Sequence, residues 1–304
     1  MRRVSRDPAP GADWLGRRER GSRLLLRLMT FASLRLGRSA SRPFLYGIAG
    51  YFFLFAPRAR RASLDYLRRA LGRRPRARDR FRQVMSFATT IHDRVYLLNE
   101  RFDLFDIEIT GEELMAQRLR SGSGAFLIGA HLGSFEVTRS IGRRQAGLRV
   151  AMVAYEENAR KLNAMLAAIN PAATVDMVAL GSVEAMLRVR ELLEEGVFVG
   201  MLGDRTPGGE GVMEVEFLGG MARFPVGPMR AAALLGRAVI LMLGLYLGGN
   251  RYRVVFEPIA DFSAVGARER EAAVREAVVR YAGRLEEYCR GYPYNWFNFF
   301  QFWA

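Results

Sequence analysis

The spacing of apolar and polar residues changes about one third of the way along the chain. Up to about residue 100, apolar positions recur with helical periodicity, and the links between the runs are basic and contain glycine or proline. The pattern predicts the helices Leu24–Leu36, Phe44–Phe55, Ala62–Leu71 and Arg78–Asn99. From Phe105 onwards, short apolar runs alternate with amphipathic runs. We therefore expect a helical region over residues 1–103 and an α/β domain over residues 104–304.

Strands and helices alternate along the predicted α/β domain. The predicted strands are Phe105–Thr110, Ala125–Ala130, Arg149–Tyr155, Thr174–Leu180 and Val197–Leu202, followed by a hairpin of Ala238–Leu247 with Tyr252–Ile259. The predicted helices are Glu136–Gln145, Glu157–Asn170, Ser182–Glu195, Val226–Leu235 and Arg268–Arg290. A long glycine-rich loop is expected over Gly203–Phe224. This order predicts a largely parallel central sheet with one antiparallel edge.

The net charge of +15 is concentrated in the first third of the chain. Residues 1–100 contain 23 arginines and 7 acidic residues, whereas the remaining 204 residues contain 23 basic and 24 acidic residues. The helical region is therefore a basic extension of a nearly neutral domain, which favours a polyanionic partner. Anionic lipid headgroups are the expected partner. Nucleic acid is the less favoured alternative, because the chain contains no nucleic-acid-binding motif.

Two apolar segments of the helical region can contact a membrane. Leu24–Leu36 includes Arg27 and Arg35 and predicts a basic amphipathic helix. The uncharged run Phe44–Ala56 would be about 20 Å long as a helix, too short to cross a bilayer core of about 30 Å. A buried helix and an interfacial or re-entrant anchor both stay open for this run, and its aromatic residues favour the interface. No cleavable signal peptide is expected, because no apolar run directly follows the basic start of the chain.

The best candidate for catalytic chemistry follows a predicted buried strand. Ala125–Ala130 ends at His131, and Glu136 follows five positions later, across the small residues Gly133 and Ser134. In a tight strand-to-helix turn, the carboxylate can hold one ring nitrogen of His131 while the other accepts a proton from a hydroxyl. This predicts His131 and Glu136 as catalytic residues, with a structural histidine as the alternative. Ser134 is interpreted as a turn or cap residue, since the G-x-S-x-G pattern of a nucleophile elbow is absent.

A second charged pair follows another predicted strand. Asp204 and Arg205 come directly after Val197–Leu202 and Gly203, and sites in α/β sheets gather beyond the carboxyl ends of strands. Arg205 is expected to bind a phosphate or to stabilise an oxyanion, and the alternative is a local salt bridge with Asp204. Gly133 and Arg139 are also expected at the substrate site. A solvated helix position explains Arg139 equally well.

The remaining candidates give weaker signals. Cys289 is the only cysteine and His92 the only other histidine, which excludes a disulfide framework and disfavours a metal centre. A reducing compartment is therefore expected, and His92 is interpreted as a structural side chain. The aromatic tail Tyr292–Trp303 is compatible with core packing, with a membrane-facing flap or with part of an acyl-chain tunnel.

Five segments, taken as a set, resemble one protein family. They are Gly129–Glu136, Gly203–Arg205, Phe224–Pro228, Trp296–Phe300 and Arg82–Gly111. The chain resembles the lipid A late acyltransferases of the lauroyl and myristoyl type, within the lysophospholipid and glycerolipid acyltransferase superfamily. The resemblance covers residues 12–304. It implies an αβα acyltransferase fold with an N-terminal membrane-associated helical region.

The resemblance also implies a reaction and a location. It makes His131 the general base and Glu136 its partner, and it makes Asp204 and Arg205 substrate-positioning residues. The acyl donor would be acyl carrier protein or coenzyme A, used as a co-substrate, with no cofactor and no metal. The location would be the cytoplasmic face of the bacterial inner membrane. The apolar N-terminal run is shorter than the usual transmembrane segment of the family. Residues 131–136 look more like acyltransferases encoded with aryl-polyene and xanthomonadin-type pigment pathways, or acyltransferases of other lipids, than like the lipid A enzymes proper, so the acceptor stays open.

The expected function is therefore transfer of a fatty acyl group from a thioester to a hydroxyl of a lipid or glycolipid acceptor. The expected partners are the acyl donor, anionic membrane lipids and the lipid acceptor. An esterase that uses the same residue pair and a non-catalytic membrane-bound or nucleic-acid-binding protein are the alternatives.

Overall fold

The computed structural model describes residues 23–138, 147–172, 176–180, 182–205 and 211–303. The helices are α1 (Arg23–Leu36), α2 (Arg38–Phe55), α3 (Pro57–Leu71), α4 (Ala77–Leu98), α5 (Glu112–Arg120), α6 (Glu156–Ile169), α7 (Val183–Glu194), α8 (Gly227–Leu234) and α9 (Arg270–Gly291). The strands are β1 (Asp106–Thr110), β2 (Phe126–Gly129), β3 (Val150–Tyr155), β4 (Met177–Leu180), β5 (Phe198–Leu202), β6 (Val212–Phe217), β7 (Gly220–Pro225), β8 (Ala238–Gly248) and β9 (Arg251–Asp261). Residues 135–138 are also helical.

From residue 23 onwards, where the described part of the chain begins, four α-helices precede the sheet, as the sequence predicts. The largest difference is in α2, which begins at Arg38 and includes Pro43 within the helix. In α4, the Asp79 carboxylate accepts a 2.8 Å hydrogen bond from the backbone N–H of Arg76 and so satisfies one free donor of the first turn. None of the described helices combines the length and the apolar character that a membrane-spanning helix needs.

The main sheet has seven strands in the order β1-β9-β8-β2-β5-β3-β4. Every neighbouring pair is parallel except the antiparallel pair β8–β9, so the expected mostly parallel sheet is confirmed. The antiparallel edge is two strands wide, because β1 pairs with β9 on its outer side. That pairing joins residues more than 140 positions apart, and no local pattern in the sequence indicates it.

Helices cover both faces of the sheet, and β2 shows why its sequence is apolar throughout. Phe126 and Ile128 pack into the cluster formed with α3, α7, α8 and α9. Leu127 packs into the opposite cluster, formed with α4, α5 and α6. A strand that is buried on both faces has no polar side, so it appears in the sequence as a continuous apolar run. The αβα arrangement therefore encloses the strand that leads to His131.

The segment Gly203–Phe224 is not the long loop expected from its glycines. Strands β6 and β7 form an antiparallel hairpin within it. The turn between them uses Leu218 and Gly219, both with positive φ, which is the backbone shape that tight hairpin turns require. The alternation of Glu214, Val215, Glu216 and Phe217 is the signal for a strand that the abundance of glycine concealed.

A buried ion pair joins the N-terminal helices to the sheet. Two nitrogens of Arg38 in α2 donate to the Asp93 carboxylate in α4 at 2.8 and 2.9 Å. The hydroxyl of Tyr252 in β9 donates to the same carboxylate at 2.7 Å. Asp93 is completely buried, so this arrangement links three elements through one satisfied charge.

Candidate functional site

Two predicted site residues meet at the carboxyl ends of neighbouring strands. Strand β2 pairs in parallel with β5, and Gly129 lies opposite Leu202. His131 and Asp204 each come two residues after that pair, so the register alone places them side by side. The backbone N–H of Gly203 donates to the carbonyl of Gly129 at 2.9 Å and continues the ladder into the site.

Asp204 binds His131 through both carboxylate oxygens. Nδ1 of His131 lies 2.9 Å from Oδ1 of Asp204, and the backbone N–H of His131 donates to Oδ2 at 3.0 Å. Oδ2 also accepts from Nε1 of Trp296 at 3.4 Å and from Nδ2 of Asn298 at 3.1 Å. Asp204 has no exposed surface, and four donors stabilise its charge.

Burial and neighbouring charges favour an ionised Asp204 beside a neutral His131. Burial raises the pKa of Asp204, but the positive charges of His131 and Arg205 and the hydrogen bonds to the carboxylate outweigh burial, so the pKa lies well below its ordinary value. Burial also lowers the pKa of His131, and this effect together with the charge of Arg205 exceeds the opposing effect of Asp204. At neutral pH an ionised Asp204 therefore faces a neutral imidazole. The carboxylate can only accept, so Nδ1 carries the proton and Nε2 is a free base.

The side chain of His131 is partly accessible, unlike that of its carboxylate partner. The side chain is 31% exposed, whereas that of Asp204 is completely buried. With Nδ1 bound to Asp204, Nε2 is the nitrogen that can meet a hydroxyl from outside. An oriented, neutral and accessible imidazole of this kind is the arrangement that a general base requires.

Glu136 does not hold Nδ1 of His131, which corrects the pairing expected from the sequence. Oε1 of Glu136 lies 2.8 Å from Nε of Arg94 in α4, and Glu136 is only 3% exposed. The expectation was wrong because the sheet brings a second carboxylate to His131 from a strand that is remote in sequence. The oxygens of Asp204 are buried and bound within the site itself, and the role of substrate positioning expected for Asp204 stays a prediction.

Arg205 lies at the site and is bound to the C-terminal tail. Its Nε donates to Oδ1 of Asn298 at 2.5 Å, its Nη2 donates to the same oxygen, and Nη2 also donates to the carbonyl of Phe297 at 3.3 Å. The guanidinium carbon stands 4.8 Å from the centre of the Phe300 ring. These bonds attach the guanidinium of Arg205 to the tail. The alternative of a local salt bridge with Asp204 therefore does not account for all of its contacts.

Gly133 and Ser134 shape the turn. Gly133 has φ +82°, and a Cβ at this position would lie 2.0 Å from the carbonyl oxygen of Gly244 in β8. Its N–H donates to the carbonyl of Asn295 at 2.9 Å, so this N–H is already occupied. Ser134 is buried, and its hydroxyl has no hydrogen-bond partner in the described part of the chain, which is consistent with a turn residue and not with a nucleophile. Arg139 lies outside the described residues.

Trp296 and Asn298 are site residues that the sequence pattern did not reveal. The tail stood out for its aromatic character and as one segment of the family resemblance, and neither signal assigned a role to these two residues. Trp296 is completely buried among aromatic rings, so core packing is confirmed at this position. The available signal was the pair of asparagines within the aromatic run, Asn295 and Asn298, because polar side chains in an apolar segment need buried partners.

The other histidine belongs to a structural cluster. Nε2 of His92 lies 2.8 Å from Oγ of Ser41, and Nδ1 lies 3.6 Å from Oδ1 of Asp93. Ser41, His92 and Asp93 are thus arranged in the order of a serine–histidine–aspartate triad. All three side chains are buried, however, and the Ser41 hydroxyl also lies 2.7 Å from the carbonyl oxygen of Gly37. The interpretation of His92 as a structural residue fits this geometry. Among the described residues, no group of three or more histidine, cysteine or acidic side chains could hold a metal ion.

The comparisons with known proteins identify one family. A family model described as bacterial lipid A biosynthesis acyltransferase matches residues 24–304, nearly the whole chain. The matched range contains the dyad, Arg205 and Asn298. No curated protein matches the chain closely enough to count as a relative.

Proposed function

The chain belongs to the family of bacterial lipid A biosynthesis acyltransferases, and we propose that it moves a fatty acyl group from a thioester to a hydroxyl of a lipid acceptor, with His131 as general base. The thioester is carried by acyl carrier protein or coenzyme A. The observation that supports this reaction is the dyad itself, in which Nδ1 of His131 lies 2.9 Å from Oδ1 of Asp204 at the ends of parallel neighbouring strands. Family membership supplies the reaction class, and the dyad supplies the base.

The dyad can run the transfer without a covalent enzyme intermediate. Nε2 of His131 accepts the proton of the acceptor hydroxyl while its oxygen attacks the thioester carbonyl carbon. The carbonyl electron pair moves to oxygen and forms a tetrahedral intermediate. When the C–O double bond reforms, the C–S bond breaks, and the leaving sulfur takes the proton from Nε2 of His131. The ionised Asp204 holds Nδ1–H throughout and stabilises the imidazolium stage.

Arg205 supplies positive charge for the oxyanion. Its guanidinium is fixed by Asn298 and by the carbonyl of Phe297, so little reorganisation is needed when negative charge develops. Arg205 directly follows Asp204, which binds the ring of His131, and the charge of Arg205 lowers the pKa of His131. Backbone N–H groups near the strand ends are the alternative oxyanion donors.

Glu136 is proposed to support the turn that contains His131. Its buried carboxylate forms an ion pair with Arg94 and so attaches the helical residues 135–138 to α4. A direct contribution of Glu136 to the proton transfer is the competing assignment. If Glu136 only supports the turn, Glu136→Gln should lower kcat less than Asp204→Asn does.

The N-terminal helices are proposed to attach the enzyme to the cytoplasmic face of the inner membrane. Several large apolar side chains of α1 and α2 are more than half exposed: Phe31, Leu36, Phe44, Tyr46, Leu54 and Phe55. These helices belong to the arginine-rich first third of the chain, and exposed apolar side chains combined with an excess of positive charge suit an anionic bilayer interface.

Acyl transfer is tested with purified, detergent-solubilised full-length protein. Labelled acyl thioesters of acyl carrier protein and of coenzyme A are supplied with a lipid extract from a Gram-negative bacterium. We expect label to enter lipid with the wild type and not with His131→Ala. Label that is released only as free fatty acid would overturn the transferase assignment in favour of a hydrolase, and equal transfer by His131→Ala would overturn the role of the base.

A further inference from the structure

One side chain of the tail touches both charged members of the site. Asn298 is only 1% exposed. Its Nδ2 donates to Oδ2 of Asp204 at 3.1 Å, and its Oδ1 accepts from Nε of Arg205 at 2.5 Å and from Nη2 of the same residue. Asn298 is therefore the link between the carboxylate that orients the base and the guanidinium proposed to stabilise the oxyanion.

The chemistry of this link suits an amide. A carboxylate can only accept and a guanidinium can only donate, so a side chain between them must donate on one side and accept on the other. The two partners also fix which way the amide points, because a flipped amide would place its N–H₂ against Arg205. A leucine of similar branched shape would offer none of these bonds, and an aspartate would place a second negative charge beside Asp204.

The backbone around Asn298 is held by the catalytic turn itself. The N–H of Phe297 donates to the carbonyl of His131 at 2.7 Å. The carbonyl of Trp296 accepts from Nε2 of Gln83 in α4 at 2.6 Å, and Gln83 is completely buried. The tail thus runs antiparallel to the turn at Leu132, and this pairing aims the Asn298 amide into the space between Asp204 and Arg205.

We propose that Asn298 is a positioning residue for acyl transfer, which fixes Asp204 and Arg205 in one relative geometry. The inference rests on the proposed function of His131. It assigns the C-terminal tail a part in the reaction in addition to its packing. Buried charges that must act together need such a link, since small displacements of a positioned group lower rates by as much as about 100-fold.

The first test is Asn298→Leu in the full-length protein. All three side-chain hydrogen bonds of Asn298 are lost while its branched shape is kept, so we expect kcat to fall roughly 10- to 100-fold with KM for the thioester nearly unchanged. The rate is expressed per folded protein, with the folded fraction taken from circular dichroism and thermal melting. A wild-type kcat in folded Asn298→Leu would overturn the proposal.

The second test is the pH profile of Asn298→Asp. An ionised carboxylate at position 298 would offset the charge of Arg205 near His131 and so favour the imidazolium. We therefore expect the acidic limb of kcat/KM to move to higher pH relative to wild type. A limb that stays where it is would show that position 298 does not act on the charges around His131, and that result would overturn the proposal.

Asn295 provides a matched control in the same tail. It is also buried, but its amide exchanges hydrogen bonds of 2.8 and 3.0 Å with the backbone of Tyr246 and does not join the two charges. We expect Asn295→Leu and Asn295→Asp to lower the melting temperature without changing kcat per folded protein or the pH profile. Equal kinetic changes in both asparagine series would overturn a specific role for Asn298. Failure of the proposed function is recognised separately, by unchanged transfer in His131→Ala.

Discussion

At the scale of single residues, the first question is which carboxylate serves His131. Asp204→Asn keeps the shape of the site but removes the charge that selects the Nδ1–H tautomer. We expect kcat for acyl transfer to fall by roughly 10²- to 10⁴-fold, as for general bases that lose their orienting group. The measurement is the initial rate of label transfer to lipid at saturating thioester.

Two variants make this prediction specific. Asp261→Asn removes an exposed carboxylate that pairs with Arg118, and its rate should equal that of wild type. Glu136→Gln should lower kcat less than Asp204→Asn does, because Glu136 pairs with Arg94. If Glu136→Gln were the more damaging change, the pairing His131–Asp204 would not be the catalytic one.

The pH dependence tests the charge of Arg205. Activity requires neutral His131, and burial together with Arg205 lowers the pKa of His131 below that of an ordinary histidine. The acidic limb of kcat/KM should therefore lie below the pKa of about 6.5 of an unperturbed histidine. Arg205→Gln removes a positive charge that disfavours the imidazolium, so the limb should move to higher pH while kcat falls. An unchanged limb in Arg205→Gln would contradict the proximity of the two charges.

The sequence locates these residues better than it pairs them. His131 and Asp204 both stand out because each follows an apolar strand. Their position at the carboxyl ends of the strands was therefore predictable. Their contact depends on β2 lying next to β5, although β3 and β4 come between them along the chain. A spacing of five residues could only suggest Glu136. Asn298 could not be placed at all, because nothing local indicates that the tail returns to the turn.

At the scale of elements, the strand-to-helix turn at Gly133 sets the approach of three segments. The turn lies between β8 and the tail. The backbone N–H of Gly133 donates to the carbonyl of Asn295, and the backbone N–H of Ser134 donates to the carbonyl of Gly244 at 2.6 Å. Element positions were predictable where periodicity was strong, as in α1 to α4 and the β8–β9 hairpin. The β6–β7 hairpin was missed because a high glycine content is shared by loops and by tight turns.

Gly133→Ala tests this turn. The residue has φ +82° and its Cβ would overlap the carbonyl of Gly244, so the turn must shift. We expect a loss of about 1–3 kcal/mol in the free energy of unfolding, measured by urea denaturation, together with a loss of acyl transfer.

The control for the turn is Gly283→Ala in α9. Gly283 lies inside the helix, and a Cβ added there would meet no atom within 4 Å, so alanine should stabilise the protein by about 0.5–1 kcal/mol. A Gly133→Ala protein as stable and active as wild type would show that the close approach at Gly133 is not required.

At the scale of the whole molecule, the expected membrane-binding surface lies in one region and the dyad lies in another. The basic helices hold most of the exposed apolar side chains, whereas the nearly neutral α/β part holds the dyad. The ion pair of Arg38 with Asp93 and its bond to Tyr252 fix one region on the other. A membrane that binds α1 and α2 would therefore hold the dyad in a defined position relative to its surface, where both an acyl chain and a lipid hydroxyl are available.

Vesicle binding tests that arrangement. Phe44 and Phe55 of α2 are each more than 60% exposed, and burying one such side chain contributes roughly 1.5–3 kcal/mol. The double variant Phe44→Ser with Phe55→Ser should therefore bind vesicles of phosphatidylcholine and phosphatidylglycerol at least about 10-fold more weakly in a sedimentation assay. Wild-type binding should also weaken as salt rises, because the arginines interact with anionic headgroups.

The matched control replaces Leu187 and Leu234, which are similarly exposed on α7 and α8, and should bind as wild type does. Equal losses in both double variants would mean that the bilayer does not meet α2 in particular, and the proposed orientation of the dyad towards the membrane would then fail with it.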